Sequence, residues 1–233
     1  MIRFWEKTIK PVCIKYEPKH IVEIGLFLNG RTTIKLLEYC KLMGGKLTVI
    51  DPQPNFHTDA FESVFDEELF IHKQHSLEAL KDIKQADLVL IDGDHNWYTV
   101  YHELMQVERM AKEAGTFPLV MVHDIEWPYG RRDCYCFPER IPTEFRQPYA
   151  KKGISADSSE LVETGGINVG QNHALHEYGE KNGVLTAVED FLKATSFSLR
   201  FHRLYTNNGL AILLPRDEEI DRVIEYIVDT SGL

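Results

Sequence analysis

The sequence has no excess of positive charge and no long hydrophobic run. Its 26 Lys and Arg residues are outnumbered by 36 Asp and Glu residues, which gives a formal net charge of −10 at pH 7. A chain with this charge has little attraction to a phosphate backbone or to an anionic lipid surface. No stretch of it approaches the roughly 18 apolar residues of a membrane-spanning helix. We therefore expect neither a nucleic acid nor a membrane as a partner.

Cysteines are also scarce. The four of them, at positions 13, 40, 134 and 136, are too few and too scattered to form a disulfide framework. Cys134 and Cys136 lack the second pair, or the nearby histidine pair, of a zinc site. The first 20 residues are charged throughout and contain no apolar signal segment. These absences predict reduced thiols in a cytoplasmic protein.

Strand-like and helix-like segments alternate along the first half of the chain. The 233 residues are 43% hydrophobic and 27% charged, as expected of one globular domain covering residues 1–233. Helical patterns between apolar runs are typical of a parallel sheet. The predicted fold class is α/β, with a Rossmann-like, doubly wound and mostly parallel sheet. Its predicted strands are 20–27, 46–53, 69–74, 86–95 and 118–124, and its predicted helices include 31–44, a short one beginning at Ser76, and 98–115.

The alternation breaks after the fifth predicted strand. Residues 126–183 are rich in Pro, Gly, Tyr and charged residues and show no clear period. A segment of that length is usually either functional or disordered, and its aromatic residues favour an ordered lid over the active site. After this long insertion the pattern predicts a helix over 184–195. Residues 197–215 then form two strands joined by an Asn-Asn-Gly turn, which gives a C-terminal antiparallel pair.

Polar residues follow four of the predicted strands. Ligands of an open parallel sheet bind outside the carboxyl ends of its strands. One acid at such a position is commonly a helix cap or a turn former. Acids at several strand ends of one edge are harder to explain in that way, and they predict a site. The residues concerned are Glu23 and Gly25, Asp51, Asp92 with Asp94, and His123 with Asp124.

The turn after the first strand, "VEIGLFLNGRTT", contains Gly25 and Gly30. Glycine allows the backbone to approach a ligand closely. The stretch lacks the full G-x-G-x-x-G pattern of a dinucleotide site. Asp51 ends the next strand, where a carboxylate is suited to accept hydrogen bonds from a ribose diol. The alternative is a tight turn and an Asp-Pro turn without a ligand.

Three further stretches, "VIDPQP", "HSLEAL" and "LIDGDHNWYTVYHEL" followed by "VMVHD", complete a resemblance. Together with "VEIGLFLNGRTT" they resemble the class I S-adenosylmethionine-dependent methyltransferases over residues 20–125, and the terminal strand pair extends the likeness over 184–215. The last stretch resembles the subgroup of macrocin-type and novobiocin-type sugar O-methyltransferases and cephalosporin-hydroxylase-like proteins. The resemblance implies that the donor contacts Glu23, Gly25, Gly30, Thr32, Asp51, Ser76 and Asp92, with Asp51 on the ribose.

Acids follow the fourth and fifth predicted strands, where the resemblance places the acceptor. Methyl transfer from a sulfonium is an in-line displacement, so the site must align donor and acceptor and make a hydroxyl more nucleophilic. In the resembled subgroup, acids at these positions hold a divalent metal, here Mg²⁺ or Mn²⁺, which clamps a diol and lowers the pKa of a hydroxyl. The resemblance therefore implies Asp92 and Asp124 as ligands and Asp94 as the base.

Two histidines accompany these acids. His123 stands where the subgroup usually carries another acid. It is either a further ligand, which would favour a transition metal over magnesium, or the base of a metal-independent enzyme. His95 is either catalytic or a surface or helix-capping residue.

Candidate acceptor contacts lie mostly in the predicted lid. Arg131 and Arg132 match the phosphates of a nucleotide-linked sugar, because a guanidinium binds phosphate oxygens in a fork. A solvated turn is the alternative for this pair. The other candidates are His173 and His176, among glycines, and Tyr98, which either lines the pocket or packs.

The sequence thus predicts an S-adenosylmethionine-dependent, metal-assisted O-methyltransferase acting on a sugar or another polyhydroxylated small metabolite. One alternative is a metal-independent methyltransferase with a histidine base. A nucleic-acid methyltransferase is disfavoured by the charge. An oxidation of the cephalosporin-hydroxylase type is disfavoured, because the sequence offers no separate set of two histidines and a carboxylate for it. A binding module without activity is disfavoured by the acids at the strand ends. The sequence leaves a homo-oligomer open.

Overall fold

A seven-stranded sheet forms the centre of the computed structural model, which describes residues 1–26, 30–54 and 58–233. A 3-10 turn (Ile2–Phe4) and a π-helical turn (Trp5–Ile9) lead into the first α-helix. The following elements, in chain order, are α1 (Lys10–Tyr16), β1 (His20–Ile24), α2 (Arg31–Met43), β2 (Lys46–Ile50), α3 (Thr58–Val64), β3 (Leu69–His72), α4 (Ser76–Ala79), β4 (Leu88–Ile91), α5 (Trp97–Ala114) and β5 (Leu119–His123).

The second half of the chain contains the insertion and the closing strands. Its elements are β6 (Cys134–Tyr135), the 3-10 turns Pro138–Arg140 and Thr143–Phe145, β7 (Tyr149–Lys151), β8 (Gly153–Ile154), β9 (Leu161–Val162), β10 (Asn172–Ala174), α6 (Val184–Ala194), β11 (Leu199–Leu204), β12 (Leu210–Pro215) and α7 (Glu218–Ser231).

The strand order of the central sheet is β11-β12-β5-β4-β1-β2-β3. Strands β1 to β5 are parallel to one another, whereas β12 pairs antiparallel with both β5 and β11. The predicted α/β fold, with its mostly parallel sheet, terminal antiparallel pair and insertion after the fifth strand, is confirmed. The strands are shorter than predicted, because the residues that end the predicted runs, such as Asp51 and Asp92, belong to loops.

Both faces of the sheet are buried, which explains why its strands consist of nearly continuous apolar residues. In β5, Val120 and Val122 pack in the core layer that contains α5 and α6. Leu119 and Met121 alternate with them and pack in the opposite layer, against the N-terminal helical segment and α2. No helix among the described residues combines the length and the apolar character that crossing a bilayer requires.

The insertion, residues 126–183, is an ordered segment. It contains a three-stranded sheet in the order β6-β10-β7 and the β8-β9 pair. The buried carboxylate of Asp133 joins it to the rest of the domain. This carboxylate accepts the backbone N–H of Trp97 at 2.7 Å, the backbone N–H of Gly183 at 2.6 Å and the hydroxyl of Tyr135 at 2.8 Å. The role of the insertion as a lid stays a prediction.

The contacts of Asp133 generate a stability prediction. Replacing it with alanine, Asp133→Ala, leaves two buried backbone donors without an acceptor, and we expect the free energy of unfolding to fall by about 3 kcal/mol. Chemical denaturation followed by circular dichroism measures this. The control is Asp157→Ala, since this acid is exposed on the same insertion. Equal stabilities of the two variants would contradict this role of Asp133.

Candidate active site

The candidate site forms where β1, β2, β4 and β5 end. The parallel register aligns Ile24 with Ile50 and Ile91, and Ile91 with Val122. The ladder continues for one residue beyond the strands, because the N–H of Gly25 donates to Ile50 and the N–H of Asp92 donates to Ile24, both at 2.9 Å. The residues that follow these strands therefore form one row along the carboxyl edge of the sheet.

Gly25 fits a place that no other residue fits. Its φ is +86°, which L residues rarely adopt. A Cβ atom at this position would lie 2.3 Å from the carbonyl oxygen of Asp92. The glycine therefore allows the loops after β1 and β4 to touch. Gly30, with φ +69°, is the N-cap of α2, and the segment 27–29 between the two glycines lies outside the described residues.

Asp51 supports the same turn from the end of β2. Its Oδ2 accepts the N–H of Leu26 at 2.8 Å, and its Oδ1 accepts the N–H of Gln53 at 2.7 Å. Each carboxylate oxygen keeps a further lone pair. Asp51 is partly exposed, so this acceptor capacity is available to a ligand hydroxyl.

Glu23, on β1, is buried beneath the turn. The hydroxyl of Thr33 donates to its Oε2 at 2.7 Å. Burial raises the pKa of Glu23 to about 8, against the lowering effect of the Thr33 hydroxyl, so the carboxyl is protonated at neutral pH. Thr32, at the start of α2, and Ser76, at the start of α4, are both buried. Both belong to the expected donor contacts.

Four side chains at the ends of β4 and β5 form a compact cluster, which we call the Asp–His cluster: Asp92, His95, His123 and Asp124. Nδ1 of His123 lies 2.8 Å from Oδ1 of Asp92 and 3.1 Å from Oδ2 of Asp124. Nε2 of His95 lies 2.5 Å from Oδ2 of Asp124 and 3.7 Å from Oδ1 of Asp92. Each histidine thus contacts both carboxylates.

Mutual attraction controls the protonation of the cluster. Burial alone would lower the pKa of His123, but the charges of Asp92 and Asp124 and the hydrogen bonds to them raise it to about 9. The pKa of His95 is raised well above its usual value, mainly by Asp124, although burial opposes this. Burial would raise the pKa of Asp124, but His95 and His123 lower it to about 2. The charge of His123 likewise holds the pKa of Asp92 well below its usual range, although burial opposes this. The two imidazolium groups of the cluster therefore balance the charges of its two carboxylates.

Three other segments of the chain surround the cluster: the β11–β12 turn, the N-terminal segment and the insertion. The β11–β12 turn provides the carbonyl oxygen of Asn207, which lies 3.1 Å from Nε2 of His123. The N-terminal segment provides the ring of Phe4, edge-on to His123 at 5.7 Å, and the amino group of Met1, 3.0 Å from Oδ2 of Asp92. Tyr129 of the insertion lies with its ring 5.1 Å from that of His95.

Asp94 lies in the same loop but is engaged differently. Its carboxylate accepts the side-chain amide of Asn96 at 2.6 Å, the hydroxyl of Thr99 at 3.2 Å and the N–H of Cys136 at 3.0 Å. Burial raises its pKa despite these hydrogen bonds. Asp94 therefore joins the start of α5 to the insertion rather than the Asp–His cluster. Its role as a base stays a prediction.

The insertion residues expected to contact an acceptor prove to be largely engaged within the protein. Arg131 forms a bidentate pair with Glu189, with both distances 2.7 Å. Arg132 is only 1% exposed and donates to the carbonyl oxygens of Ala174, Leu175 and Ser159. The expected phosphate contact of Arg132 is therefore corrected, since its guanidinium stabilises the interior of the insertion.

The histidine and tyrosine candidates divide in the same way. His173 is buried, and its Nδ1 lies 2.6 Å from the carbonyl oxygen of Lys152, so its expected acceptor contact is also corrected. His176 is exposed. Tyr98 is partly buried against the rings of His102 and Phe145. His176 and Tyr98 stay predictions as acceptor contacts.

The residues that support the cluster, Asn207 and Tyr129, are not recognisable from the sequence. The Asn-Asn-Gly stretch predicts a hairpin turn, but a turn pattern does not show which carbonyl will contact His123. Tyr129 is one of several aromatic residues of the insertion, and its residue type alone does not place it beside His95. Neither residue follows a strand that ends at the site, and both reach the site from distant segments of the chain.

Residues 22–125, just under half of the chain, match the family model described as a methyltransferase domain. The segment covers the sheet edge from the end of β1 to the residue after Asp124. The prediction of a methyltransferase is confirmed at the level of this domain. No curated protein sequence matches the chain.

Solved structures share the fold. The methyltransferase PaMTH1 from Podospora anserina, with bound S-adenosylhomocysteine, is similar over 89% of this chain and 77% of its own, with a TM-score of 0.54 and 11% identity. A Klebsiella pneumoniae protein provisionally assigned as an O-methyltransferase is similar over 88% and 77%, with a TM-score of 0.50 and 15% identity. At these identities, the likeness shows a shared fold.

The close approach of the two loops at Gly25 gives a second prediction. We expect Gly25→Ala to lower the free energy of unfolding by about 3 kcal/mol. The added methyl group must displace backbone atoms, and the alanine must adopt a φ that is unfavourable for it. Gly44→Ala is the matched control, because its φ is +64° but nothing lies within 4 Å of the added Cβ. It should lose only about 1 kcal/mol. Similar losses in denaturant titrations would show that contact with Asp92 is unimportant.

Proposed function

We propose that the protein is an S-adenosylmethionine-dependent O-methyltransferase that acts, with metal assistance, on a hydroxyl of a sugar or another small polyhydroxylated acceptor. One observation carries this proposal: the glycine turn with Asp51 and the Asp–His cluster lie side by side along one sheet edge. The first suits a nucleoside and the second suits a hydroxyl that must lose its proton. The match to a methyltransferase domain supports the same reaction class.

The donor side is formed by the ends of β1 and β2. S-adenosylmethionine, when bound, supplies an electrophilic methyl group on a sulfonium. The free acceptor capacity of Asp51 suits the two ribose hydroxyls, and its bonds to Leu26 and Gln53 fix the carboxylate for that purpose. Gly25 keeps the backbone beside Asp92 clear of a side chain. Donor and acceptor would then meet at the loops after β1 and β4.

The acceptor side is formed by the Asp–His cluster. Its two carboxylates and two imidazoles fit a divalent ion by donor type, and their ligand atoms lie within 4.8 Å of one another. Such an ion, when bound, would lower the pKa of an acceptor hydroxyl. The cluster residues would orient this hydroxyl, and its proton would pass to a neighbouring base, for which Asp94 is the candidate. A metal-independent reaction with His123 as base is the second candidate.

The insertion is proposed to supply the acceptor wall. Tyr129 lies against His95, the N–H of Cys134 donates to the carbonyl oxygen of His95 at 2.9 Å, and Cys136 contacts Asp94. Residues 126–183 are therefore joined directly to the loop that would hold the acceptor. Loops positioned on a rigid scaffold commonly determine specificity. The sugar class rests on the sequence resemblance.

Donor binding is the first test. We expect calorimetry to detect binding of both S-adenosylmethionine and S-adenosylhomocysteine, and Asp51→Ala to weaken it at least tenfold, because the ribose loses its acceptor. Asp157→Ala, which changes an exposed acid of the insertion, should bind normally. Absence of binding to the wild-type protein, or an unchanged affinity of Asp51→Ala, would overturn the assignment of the donor side.

Turnover is the second test, with a panel of sugars and nucleotide-linked sugars and a donor with an isotopically labelled methyl group. We expect chelation, or Asp124→Ala, to lower methyl transfer by about 100-fold or more, while S-adenosylhomocysteine binds as before, because the donor is held by β1 and β2. Full activity in chelator with an inactive His123→Ala would refute metal assistance and favour the histidine base.

A further inference from the structure

We infer that the Asp–His cluster is a transition-metal site in which His95 is a protein ligand together with Asp92, His123 and Asp124. This inference deepens the proposed function and rests on it for the role of the site in the reaction. Within the described ranges, these four side chains have ligand atoms that all lie within 4.8 Å of one another. Ligands at about 2.0–2.3 Å from one ion are themselves separated by about 3 to 4.5 Å. The cluster is already close to that spacing.

His95 lies inside the cluster rather than at its edge. Its Nε2 is 2.5 Å from Oδ2 of Asp124 and 3.7 Å from Oδ1 of Asp92. An ion that contacts both carboxylates is therefore within reach of this nitrogen. The ring is held from two sides, by Tyr129 and by the backbone contact between Cys134 and His95. His95, like His123, thus places one ring nitrogen close to both carboxylates.

His123 has the hydrogen bond that orients a metal-binding imidazole. Its Nε2 lies 3.1 Å from the carbonyl oxygen of Asn207, which can only accept, so this nitrogen carries a hydrogen. In the neutral ring, Nδ1 then keeps its lone pair, and Nδ1 is the atom that faces Asp92 and Asp124. A carbonyl acceptor on the outer nitrogen is one of the usual partners of a metal-bound histidine.

The backbone holds Asp124 in a conformation that only its surroundings can maintain. Its φ is +61°, in the left-handed region, which is unfavourable for a residue with a side chain. The N–H of Asp124 donates to the carbonyl oxygen of Gly209 at 3.1 Å, in the same turn that carries Asn207. One hairpin turn therefore positions two of the four ligands.

The donor set determines which ion the site prefers. Magnesium favours oxygen ligands in a regular octahedron and retains several waters. Two imidazole nitrogens with two carboxylate oxygens instead suit manganese, iron, cobalt or zinc in their divalent states. The replacement of an expected acid by His123, together with His95, changes an oxygen site into a mixed one. Of the two expected ions, Mn²⁺ therefore suits this donor set better than Mg²⁺ does.

Direct metal binding tests this inference without using activity. The metal-free protein, prepared by chelation and dialysis, is titrated with Mn²⁺, Zn²⁺ and Mg²⁺ in a calorimeter. We expect Mn²⁺ and Zn²⁺ to bind at least 100-fold more tightly than Mg²⁺. Pulsed electron paramagnetic resonance of bound Mn²⁺ should show coupling to two imidazole nitrogens. Equal affinities for Mg²⁺ and Mn²⁺, or coupling to fewer than two nitrogens, would overturn the inference.

Variants of His95 separate its role from that of its neighbours. His95→Gln should weaken Mn²⁺ binding at least tenfold and remove one of the two nitrogen couplings. His95→Asp should recover binding through oxygen and reduce the preference for Mn²⁺ over Mg²⁺. The control is His102→Gln, because Nδ1 of His102 lies 2.7 Å from the carbonyl oxygen of Tyr98 in its own helix. This control should bind metal as the wild type does.

Two further results distinguish the possible failures. If His95→Gln binds Mn²⁺ normally with both nitrogen couplings intact, His95 is not a ligand. If the wild-type protein binds none of the three metals but binds S-adenosylhomocysteine, the metal site is refuted while the proposed methyltransferase remains. Thermal unfolding of each variant shows whether it is folded. If His95→Gln is unfolded, metal binding by His95→Asp tests the role of His95 instead.

Discussion

Four ionisable side chains can be buried at one edge of the sheet only if their charges compensate one another. Asp92 and Asp124 are each less than a tenth exposed, and each contacts both His95 and His123. A buried carboxylate without a cationic partner is strongly unfavourable. The rest of the architecture satisfies this requirement: parallel register brings the strand ends together, the terminal hairpin orients one histidine, and the insertion packs against the other.

The sequence predicts the central sheet well because both of its faces are buried. Such strands are nearly continuous apolar runs, and the polar residues that end them are visible even without a structure. The candidate site follows from the same feature, because carboxyl ends of parallel strands meet at one edge. The small strands of the insertion contain only two or three residues, which is too few for a period to be recognised. Helix α7 is not among the predicted helices, although Asp217 caps it by accepting the N–H groups of Glu219 and Ile220.

Residue type alone misassigns the polar residues of the insertion. Two adjacent arginines in a loop are compatible with phosphate binding, but Arg132 instead donates to three carbonyl oxygens. A long irregular segment has many backbone groups without partners in regular structure, and buried side chains must satisfy them. Arg132, Asp133 and His173 serve this purpose. Only the tertiary structure distinguishes such internal donors and acceptors from groups that face a ligand.

The position of the terminal hairpin has a consequence for synthesis of the chain. Strand β12 lies beside β5, and its turn contacts both His123 and Asp124, yet more than 80 residues separate these partners in the sequence. On the ribosome, β1 to β5 emerge long before Gly209 does. A nascent chain therefore exposes the edge of β5 and leaves His123 and Asp124 without these contacts until the hairpin has been translated. An unpaired edge strand invites association with other chains. The last hairpin thus both completes the site and closes the sheet during biogenesis.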